Sequence, residues 1–421
     1  MEITGLKDRF IELMKDEDKR YCAAQILFAL SISFGWFIED GYRRGLFLLA
    51  LLLLNRKQLK SGVIKQWNGL TLAAGLLLLA LAAWVLFIPL AAGTDSFKMR
   101  LAGTARPLEI VLYGWGVMLF AKDSFFEKYF FRFSALSAAA YTLIAIINRA
   151  MRHFSTERND WLFDKHAAFA GIILASLLPW LLAAAFDKRN KNSVRAAAAV
   201  MVILNFAAVL VTYYRTILLA VTVQLFFALF ITGRCFGFSF TKHKGMLLAL
   251  LLLAASVPVV LYNTSTTIRV ELRDNIERSL SVGTNFDKFT TDRGEIWQEA
   301  TELISFRRLG GYGWVDYNDF AVIRKHHPHS SYIQAAFHTG IPGALLYTAS
   351  LAVCALLALI YIARGKGDPA ISYAIFLGLA ATAVASLFES YFFTSREYLI
   401  PFWSQLAMLV SPLYSDSRKE L

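Results

Sequence analysis

The feature that most constrains this chain is a succession of uninterrupted apolar blocks. They run for about 16 to 23 residues, the length at which a helix crosses roughly 30 Å of hydrocarbon. Because 57% of the 421 residues are hydrophobic, the chain also holds more apolar side chains than a globular fold of this size needs. We therefore predict an all-α, polytopic membrane protein embedded in a lipid bilayer.

The blocks predict about twelve transmembrane helices. Basic residues are about twice as frequent in one set of alternate connections as in the other, and the positive-inside rule puts the richer set and both termini in the cytoplasm. The first residues lack the pattern of a cleavable signal, so we expect an amphipathic lead-in to an uncleaved first span. The predicted spans are 21–38, 43–55, 69–91, 107–121, 133–148, 167–186, 196–214, 216–232, 246–263, 341–363, 370–388 and 398–413.

The interval between the ninth and tenth spans is too polar and too rich in glycine to cross a bilayer. Residues 264–340 are predicted to form a helical subdomain outside the cytoplasm, between membrane parts at 1–263 and 341–421. One helix is expected to begin at Asp292, which makes a capping-box pattern with Glu295. Another is expected to begin near His329 and to continue into the tenth span.

The net charge of +12 does not indicate a nucleic-acid partner, because membrane proteins collect Lys and Arg in their cytoplasmic loops. Cys22, Cys235 and Cys354 are too scattered for a disulfide framework or a metal cluster. We expect no metal and no other cofactor.

His329 is the first candidate for chemistry, because it lies where the polar interval meets the tenth span. A neutral imidazole can accept a proton from a sugar hydroxyl, which is general-base catalysis. The alternative is an interfacial histidine without a chemical role. His326 and His327 precede Pro328 and are expected in a loop, and a metal site across His327 and His329 would lack nearby carboxylate or cysteine ligands.

Arg215 and Arg293 are the candidate anion-binding residues. Arg215 separates two apolar blocks with almost no loop, and a charge there is costly unless it reaches the interface or an anionic partner. Arg293 lies in the first turn of a predicted helix beside Gly294, and a guanidinium at a helix N-terminus suits a phosphate or pyrophosphate. The alternatives are an interface anchor for Arg215 and a surface ion pair with Glu295 or Asp292 for Arg293.

Further candidates for substrate binding are Tyr214, Tyr332, His338 and Arg396. Arg396 would either add to an anion site or pair with Glu389. On a continuous helix, His338 would lie on the face opposite to that of His329. The glycine-rich run 310–313 has no preceding strand and no following Lys-Ser/Thr, so it predicts a tight turn rather than a nucleotide-binding loop.

One motif resembles that of a known family. His329-Ser330 is followed after nine residues by Gly340-x-x-Gly343, which matches the His-[Asn/Ser/Gln]-x9-Gly-x-x-Gly pattern of the O-antigen ligases. The superfamily of these enzymes also includes O-antigen polymerases and protein O-oligosaccharyltransferases. Gly340 and Gly343 are then structural residues that allow close packing where the tenth span enters the membrane.

Other features occur in the same order as in that family. The stretch from Arg293 to Trp297, followed by Gly311-Tyr312-Gly313, is similar to its Arg-x-x-x-Trp and Gly-x-Gly signature. Arg215, after a tyrosine pair, looks like its arginine at the membrane boundary. His338 departs from the pattern as an extra histidine inside the motif.

The resemblance implies a glycosyltransferase of the GT-C type in the bacterial inner membrane. Such an enzyme transfers a polysaccharide from undecaprenyl pyrophosphate to a sugar hydroxyl of lipid A–core at the periplasmic face. His329 would be the general base, and Arg215 and Arg293 would stabilise the pyrophosphate without a metal.

Two other functions stay open. An O-antigen polymerase would use the same carrier but a second lipid-linked glycan as acceptor. A transporter of lipid-linked oligosaccharides is expected to have an internal repeat and charges in the middle of its spans. The predicted spans carry little of that kind beyond Asn205, Gln224 and Arg215, which favours the enzyme.

Overall fold

A computed structural model describes residues 16–36, 38–54, 69–121, 124–152, 166–237, 269–270, 273–274, 276–277, 293–323, 327–390 and 396–411. Within them, every long regular element is an α-helix, as predicted. The long helices are α1 (Glu17–Ser33), α2 (Asp40–Leu52), α3 (Gly69–Ala92), α4 (Phe97–Phe120), α5 (Ser124–Met151), α6 (Ala167–Phe186), α7 (Asn192–Leu210), α8 (Arg215–Phe236), α9 (Arg293–Phe306), α10 (Ser331–Arg364), α11 (Pro369–Ala385) and α12 (Arg396–Leu409).

Six of the described helices are long and apolar enough to cross a membrane: α3, α5, α6, α7, α8 and α10. The helix α11 is apolar but shorter. The predicted ninth span, 246–263, lies outside the described residues. The chain is therefore a helical membrane protein with several spans, and the number twelve stays a prediction.

The centre of the membrane part is α6, which is buried on nearly all sides. Its apolar residues are spread around the whole helix, so neighbouring helices can pack against every face. The side chain of Trp180, the tryptophan of this helix, is fully buried. Buried polar side chains tie neighbouring helices to it: Asn205 of α7 donates to the Leu174 carbonyl at 3.3 Å, and Gln224 of α8 donates to the Ala175 carbonyl at 2.8 Å. These bonds satisfy side-chain N–H groups that would be costly to bury alone.

The helices α8 and α11 run antiparallel and define the two ends of the bundle. Thr232 and Tyr373 share a hydrogen bond of 2.9 Å, and the Gln224 amide donates to the Leu377 carbonyl at 3.2 Å. The first residue of α8, Arg215, therefore lies at the same end as the last residue of α11. We call this the Arg215 end.

A second, small hydrophobic core lies outside the main one. It is formed by α9, the residues after it and the first turns of α10: Ala300, Tyr312, Val315, Tyr317, Ala321 and Phe337. Tyr312 and Phe337 stack with ring centroids 4.7 Å apart. Glu299 caps the loop over this core, because its carboxylate accepts the backbone N–H of Ile323 at 3.1 Å.

The helix predicted to begin near His329 and to continue into the tenth span is confirmed, whereas the predicted start of the fourth span differs from the structure. The helix α10 begins at Ser331 with Ser330 as its N-cap, and His329 lies just before it in a left-handed conformation. The same helix runs from the predicted subdomain into the tenth span across a break at Gly340. The fourth span belongs to a helix that begins earlier, at Phe97, and the predicted cap Asp292 lies outside the described residues.

Candidate active site

The segment that carries His329 is fixed to residues 386–390, which follow α11. The backbone N–H of Ser330 donates to Ser390 Oγ at 3.0 Å, and that of Ser331 donates to the Ser386 carbonyl at 2.8 Å. Ser331 Oγ also donates to the Glu389 carbonyl at 2.6 Å. Because these groups are buried, the bonds hold the start of α10 in one position against the segment 386–390.

His329 itself is half-buried and has a φ of 48°. A left-handed conformation is uncommon for a residue with a side chain and costs free energy that neighbouring contacts must offset. One such contact precedes it, since the Trp297 indole N–H donates to the Pro328 carbonyl at 2.9 Å. The His327 ring lies beside that of His329, with centroids 4.2 Å apart.

Arg293, in the first turn of α9, contacts the segment 386–390. Its Nη1 donates to the Phe388 carbonyl at 2.6 Å, and its Nη2 lies 3.5 Å from Glu389 Oε1. The ring of Trp297, one turn further along α9, packs near Phe388 with centroids 6.2 Å apart. The Arg-x-x-x-Trp motif therefore contacts the segment 386–390 through its cation and both that segment and Pro328 through its indole.

Among the described residues the ion-pair partner of Arg293 is thus Glu389 rather than Glu295, and Asp292 lies outside the described residues. Glu389 is 2% exposed and Arg293 is 15% exposed. Burial raises the pKa of the Glu389 carboxyl to about 7, and the Arg293 guanidinium opposes that rise. A carboxyl with a pKa near neutrality can change its charge, and so the charge balance of the site, over the physiological range.

Arg215 lies at the first position of α8, half-buried. Tyr214 precedes it as the N-cap, and Tyr213 has a φ of 59°. The Tyr214 hydroxyl lies 3.1 Å from Nε2 of His166, whose Nδ1 accepts the backbone N–H of Ala168 at 3.3 Å. Since Nδ1 is an acceptor there, Nε2 carries the hydrogen and donates it to Tyr214.

The backbone strain of the described chain is concentrated at this end. Among its non-glycine residues, only Tyr213 and His329 have a positive φ. One lies two positions before Arg215, and the other is the predicted base. Such outliers cluster at active sites, where the surrounding structure holds them.

The glycine motifs form one structure around a break in α10. Gly340 has φ 74° and ψ 173°, and Pro342 has no N–H to donate. The carbonyls of Phe337 and His338 therefore lose their helical partners, and instead they accept the backbone N–H groups of Tyr312 at 2.8 Å and Gly313 at 3.0 Å. The Trp84 indole donates to the Thr339 carbonyl at 2.9 Å, so the carbonyls released by the break are satisfied.

This close approach requires glycine. A Cβ at Gly311 would lie 2.6 Å from the Gly340 nitrogen, and one at Gly340 would overlap the Leu309 carbonyl. A Cβ at Gly343 would overlap the Thr339 side chain and meet Trp84 at 3.0 Å. The Gly-x-Gly and Gly-x-x-Gly motifs pack the small core on α10 and so help to set the position of His329, which lies two to three turns earlier in the chain.

Two of the three weaker candidates have structural contacts. The Tyr332 hydroxyl donates to the Ala383 carbonyl at 3.1 Å. His338 is 4% exposed, and its Nδ1 donates to the Gly313 carbonyl at 2.7 Å, so it ties the glycine segment to α10. Arg396 begins α12, and its side chain lies outside the described residues. Their contact with a substrate stays a prediction.

Sequence reasoning assigned no role to His166 and only considered Glu389 as a partner of Arg396. The pairing of Glu389 with Arg293 could not be predicted from the sequence, because the two residues lie on elements far apart in the chain. His166 offered one signal, a polar residue directly before an apolar block, which suits an N-cap. Nothing in the sequence connected it to Tyr214.

The structure thus brings Arg293 and the residues that follow His329 into contact with one segment, 386–390, and places Arg215 at the same end of the bundle. Two guanidinium groups suit a diphosphate, and an imidazole can take a proton from a hydroxyl. Within the part of the chain that is described, no three His, Cys, Asp or Glu side chains are grouped to hold a metal ion.

Comparison with known proteins agrees with the motifs. Residues 197–348 match the family model described as O-Antigen ligase, a stretch that holds Arg215, Arg293, His329 and both glycine motifs. No curated protein matches the chain. The match spans about a third of the chain, and over residues 197–348 the chain is similar to the O-antigen ligase family.

Proposed function

We propose that this protein is an O-antigen ligase of the GT-C type. It transfers a polysaccharide from undecaprenyl pyrophosphate to a sugar hydroxyl of lipid A–core. His329 takes the proton of the acceptor hydroxyl while its oxygen forms a bond to the first sugar carbon of the donor. The bond from that carbon to the pyrophosphate breaks, and undecaprenyl pyrophosphate leaves.

The observation that carries the proposal is the meeting of α9 and the His329 segment. The Arg293 guanidinium donates to the Phe388 carbonyl at 2.6 Å, and Ser331 donates to the next carbonyl, that of Glu389, also at 2.6 Å. A cation and the residue after a base that are both hydrogen-bonded to the segment 386–390 suit a reaction that removes a proton from one reactant while negative charge develops on another. Arg215 supplies the second cation.

The Arg215 end faces the periplasm of the bacterial inner membrane in this proposal. The opposite end carries Lys188, Arg189 and Lys191 in the turn between α6 and α7, and Arg364 and Lys366 in the turn between α10 and α11. An excess of basic residues in short connections is typical of the cytoplasmic side.

The test is transfer by the purified full-length protein in vesicles that contain a lipid-linked glycan and lipid A–core. Glycan attached to lipid A–core, with no lengthening of the carrier-linked chain, is the expected result. Lengthening without attachment would mean a polymerase. Movement of intact lipid-linked glycan across the bilayer without either product would mean a transporter.

A further inference from the structure

Glu389 belongs to the site but has no part in the transfer chemistry proposed above. Its carboxylate is 2% exposed, with Oε1 3.5 Å from Arg293 Nη2. Its main-chain carbonyl accepts the Ser331 hydroxyl hydrogen at 2.6 Å. The residue therefore contacts both the helix that carries Arg293 and the helix that follows His329.

The two charges need each other when no donor is bound. A buried carboxylate and a mostly buried guanidinium each lose hydration, and the ion pair offsets part of that loss. A pyrophosphate at Arg293 would bring further negative charge next to Glu389. The carboxylate and the pyrophosphate would then compete for one guanidinium, since like charges at this distance repel.

We propose that Glu389 is a positioning residue. Its carboxylate holds the Arg293 guanidinium in the site until a pyrophosphate takes the place of the carboxylate. This inference rests on the proposed function, because the diphosphate of the donor is the group that replaces the carboxylate. The hydrogen bond from Arg293 to the Phe388 carbonyl lies on the backbone and stays in place during the exchange.

The exchange depends on pH in a defined direction. Among the described residues, the charged group in contact with Glu389 is Arg293 on α9. The other titratable groups on the neighbouring elements are Glu295, Glu299 and Glu302 on α9 and His327 and His329 before α10. Burial raises the pKa of Glu389 to about 7, so the carboxyl is protonated below this value and ionised above it. Ionised Glu389 competes for Arg293, and pyrophosphate affinity should therefore fall as the pH rises through neutrality.

Inorganic pyrophosphate is the probe, and its binding to the detergent-solubilised full chain is measured by calorimetry. Glu389→Gln keeps the shape and can still accept a hydrogen bond from Arg293, but it carries no charge. We expect it to bind about fivefold more tightly than the native protein near pH 8 and about equally near pH 6. The titration of pyrophosphate itself cancels in this ratio.

Two controls keep the test specific. Glu389→Asp retains the charge and should retain a pH-dependent affinity, whereas Glu302→Gln removes an exposed carboxylate from the same helix as Arg293 and should change nothing. Equal affinity of the native and Glu389→Gln proteins at both pH values would overturn the positioning role alone. If the native protein bound no pyrophosphate, the proposed donor site would fall with it.

A different observation, at the other end of the bundle, supports a second site. A cavity of about 290 Å³ lies between the last residues of α8 and the turn that joins α10 to α11. Because α11 runs from this turn to the segment 386–390, the cavity lies a full helix length from the active site. Nothing in the transfer reaction uses it.

The cavity has a basic rim and a largely apolar floor. Arg234, Arg364 and Lys366 are exposed at its rim, while Tyr361 and Ile362 are buried beneath them. Arg234 donates to the Ala363 carbonyl, and the part of the chain that is described gives none of the three cations a carboxylate within ion-pair distance. A site of this kind suits a group that is anionic at one end and apolar at the other.

We infer that this cavity binds the head group of an anionic phospholipid, with the start of an acyl chain over Ile362. Basic pockets between transmembrane helices on the cytoplasmic side favour such lipids, and each cation near the surface adds to the attraction. The turn between α10 and α11 thereby gains a lipid anchor that is independent of the transfer chemistry.

The test compares two double variants of the full-length protein by native mass spectrometry after addition of phosphatidylglycerol. Arg364→Gln/Lys366→Gln removes two rim cations, and Lys188→Gln/Lys191→Gln removes two exposed cations from the neighbouring turn. We expect the first variant to bind the lipid at least about tenfold more weakly than the native protein and the second to bind it normally.

Two results would overturn the lipid site. Equal weakening in both double variants would mean that the lipid responds only to the general charge of this face. Displacement of phosphatidylglycerol by millimolar inorganic phosphate would mean that the cavity recognises a small anion rather than a lipid. Phosphatidylcholine, which has no net charge, should bind the native protein and both variants equally weakly.

Discussion

The large core around α6 is held together mainly by packed apolar side chains. The small core around Tyr312 has few side chains and is held together by backbone hydrogen bonds as well. Asn205 and Gln224 add single polar ties to the large core. The small core depends on the break at Gly340, where carbonyls of α10 accept N–H groups of the glycine segment. An apolar interior tolerates the exchange of one side chain for another of similar volume. A close backbone contact between glycines does not tolerate an added side chain.

The two cores therefore have different roles: the large core supports the membrane helices, and the small core positions the residues proposed for the reaction. The large core fixes where the helices begin and end, and so determines the position of Arg215 along the bundle. The small core fixes how α9 and the His329 segment meet, to within hydrogen-bonding distance. Changes in the small core should therefore alter activity more than changes of equal size in the large core.

The largest expected effect is that of His329→Ala, which removes the proposed base. We expect the rate of glycan transfer to fall by about 10² to 10⁴, with the protein still folded, because the side chain is only half-buried. His327→Ala, which removes the neighbouring ring, is the matched control and should keep most of the rate. Full activity of His329→Ala would refute the assignment.

Gly340→Ala tests the backbone contact on which the small core depends. Its φ of 74° and ψ of 173° are nearly confined to glycine, and forcing another residue there costs about 1–3 kcal/mol before any clash is counted. We expect a lower midpoint of thermal unfolding and a loss of transfer activity.

The matched control for that change lies in the large core. Gly378 is inside α11, and a Cβ there would meet nothing within 4 Å. Gly378→Ala should leave activity unchanged and raise stability slightly, by about 0.5–1 kcal/mol. Similar losses in the two variants would contradict the contrast between the cores.

The two arginines should differ when each is replaced by lysine. Lysine keeps the charge but loses bidentate recognition, so we expect each change to lower the transfer rate by about tenfold to a hundredfold. Arg293→Lys should lose more, because it also loses the bond to the Phe388 carbonyl. The rates are measured at saturating donor, and near-native turnover of either variant would count against its role.

The smallest expected effect is that of Tyr214→Phe. The change removes the hydroxyl that accepts from His166, a bond worth about 0.5–1.5 kcal/mol. We expect a small fall in the unfolding midpoint and a fall of a few fold in transfer activity, since Arg215 follows directly. Tyr332→Phe, which loses a bond to a backbone carbonyl of α11, provides the comparison.

The sequence by itself determined that the chain is a helical membrane protein, and it predicted the six long apolar helices found among the described residues. Uninterrupted apolar blocks can be satisfied only as buried or lipid-facing helices, because their backbone groups must pair internally. It also identified Arg215, Arg293 and His329, since a charge beside an apolar block and a histidine before a glycine motif are visible locally.

The tertiary structure alone decided how these residues meet. That Glu389 pairs with Arg293, that His166 donates to Tyr214 and that Trp297 binds the Pro328 carbonyl are contacts between residues far apart in sequence. The break at Gly340 follows the same rule, because its carbonyls find partners on a segment that precedes α10 in the chain. Local pattern predicts which groups need a partner, whereas packing chooses the partner.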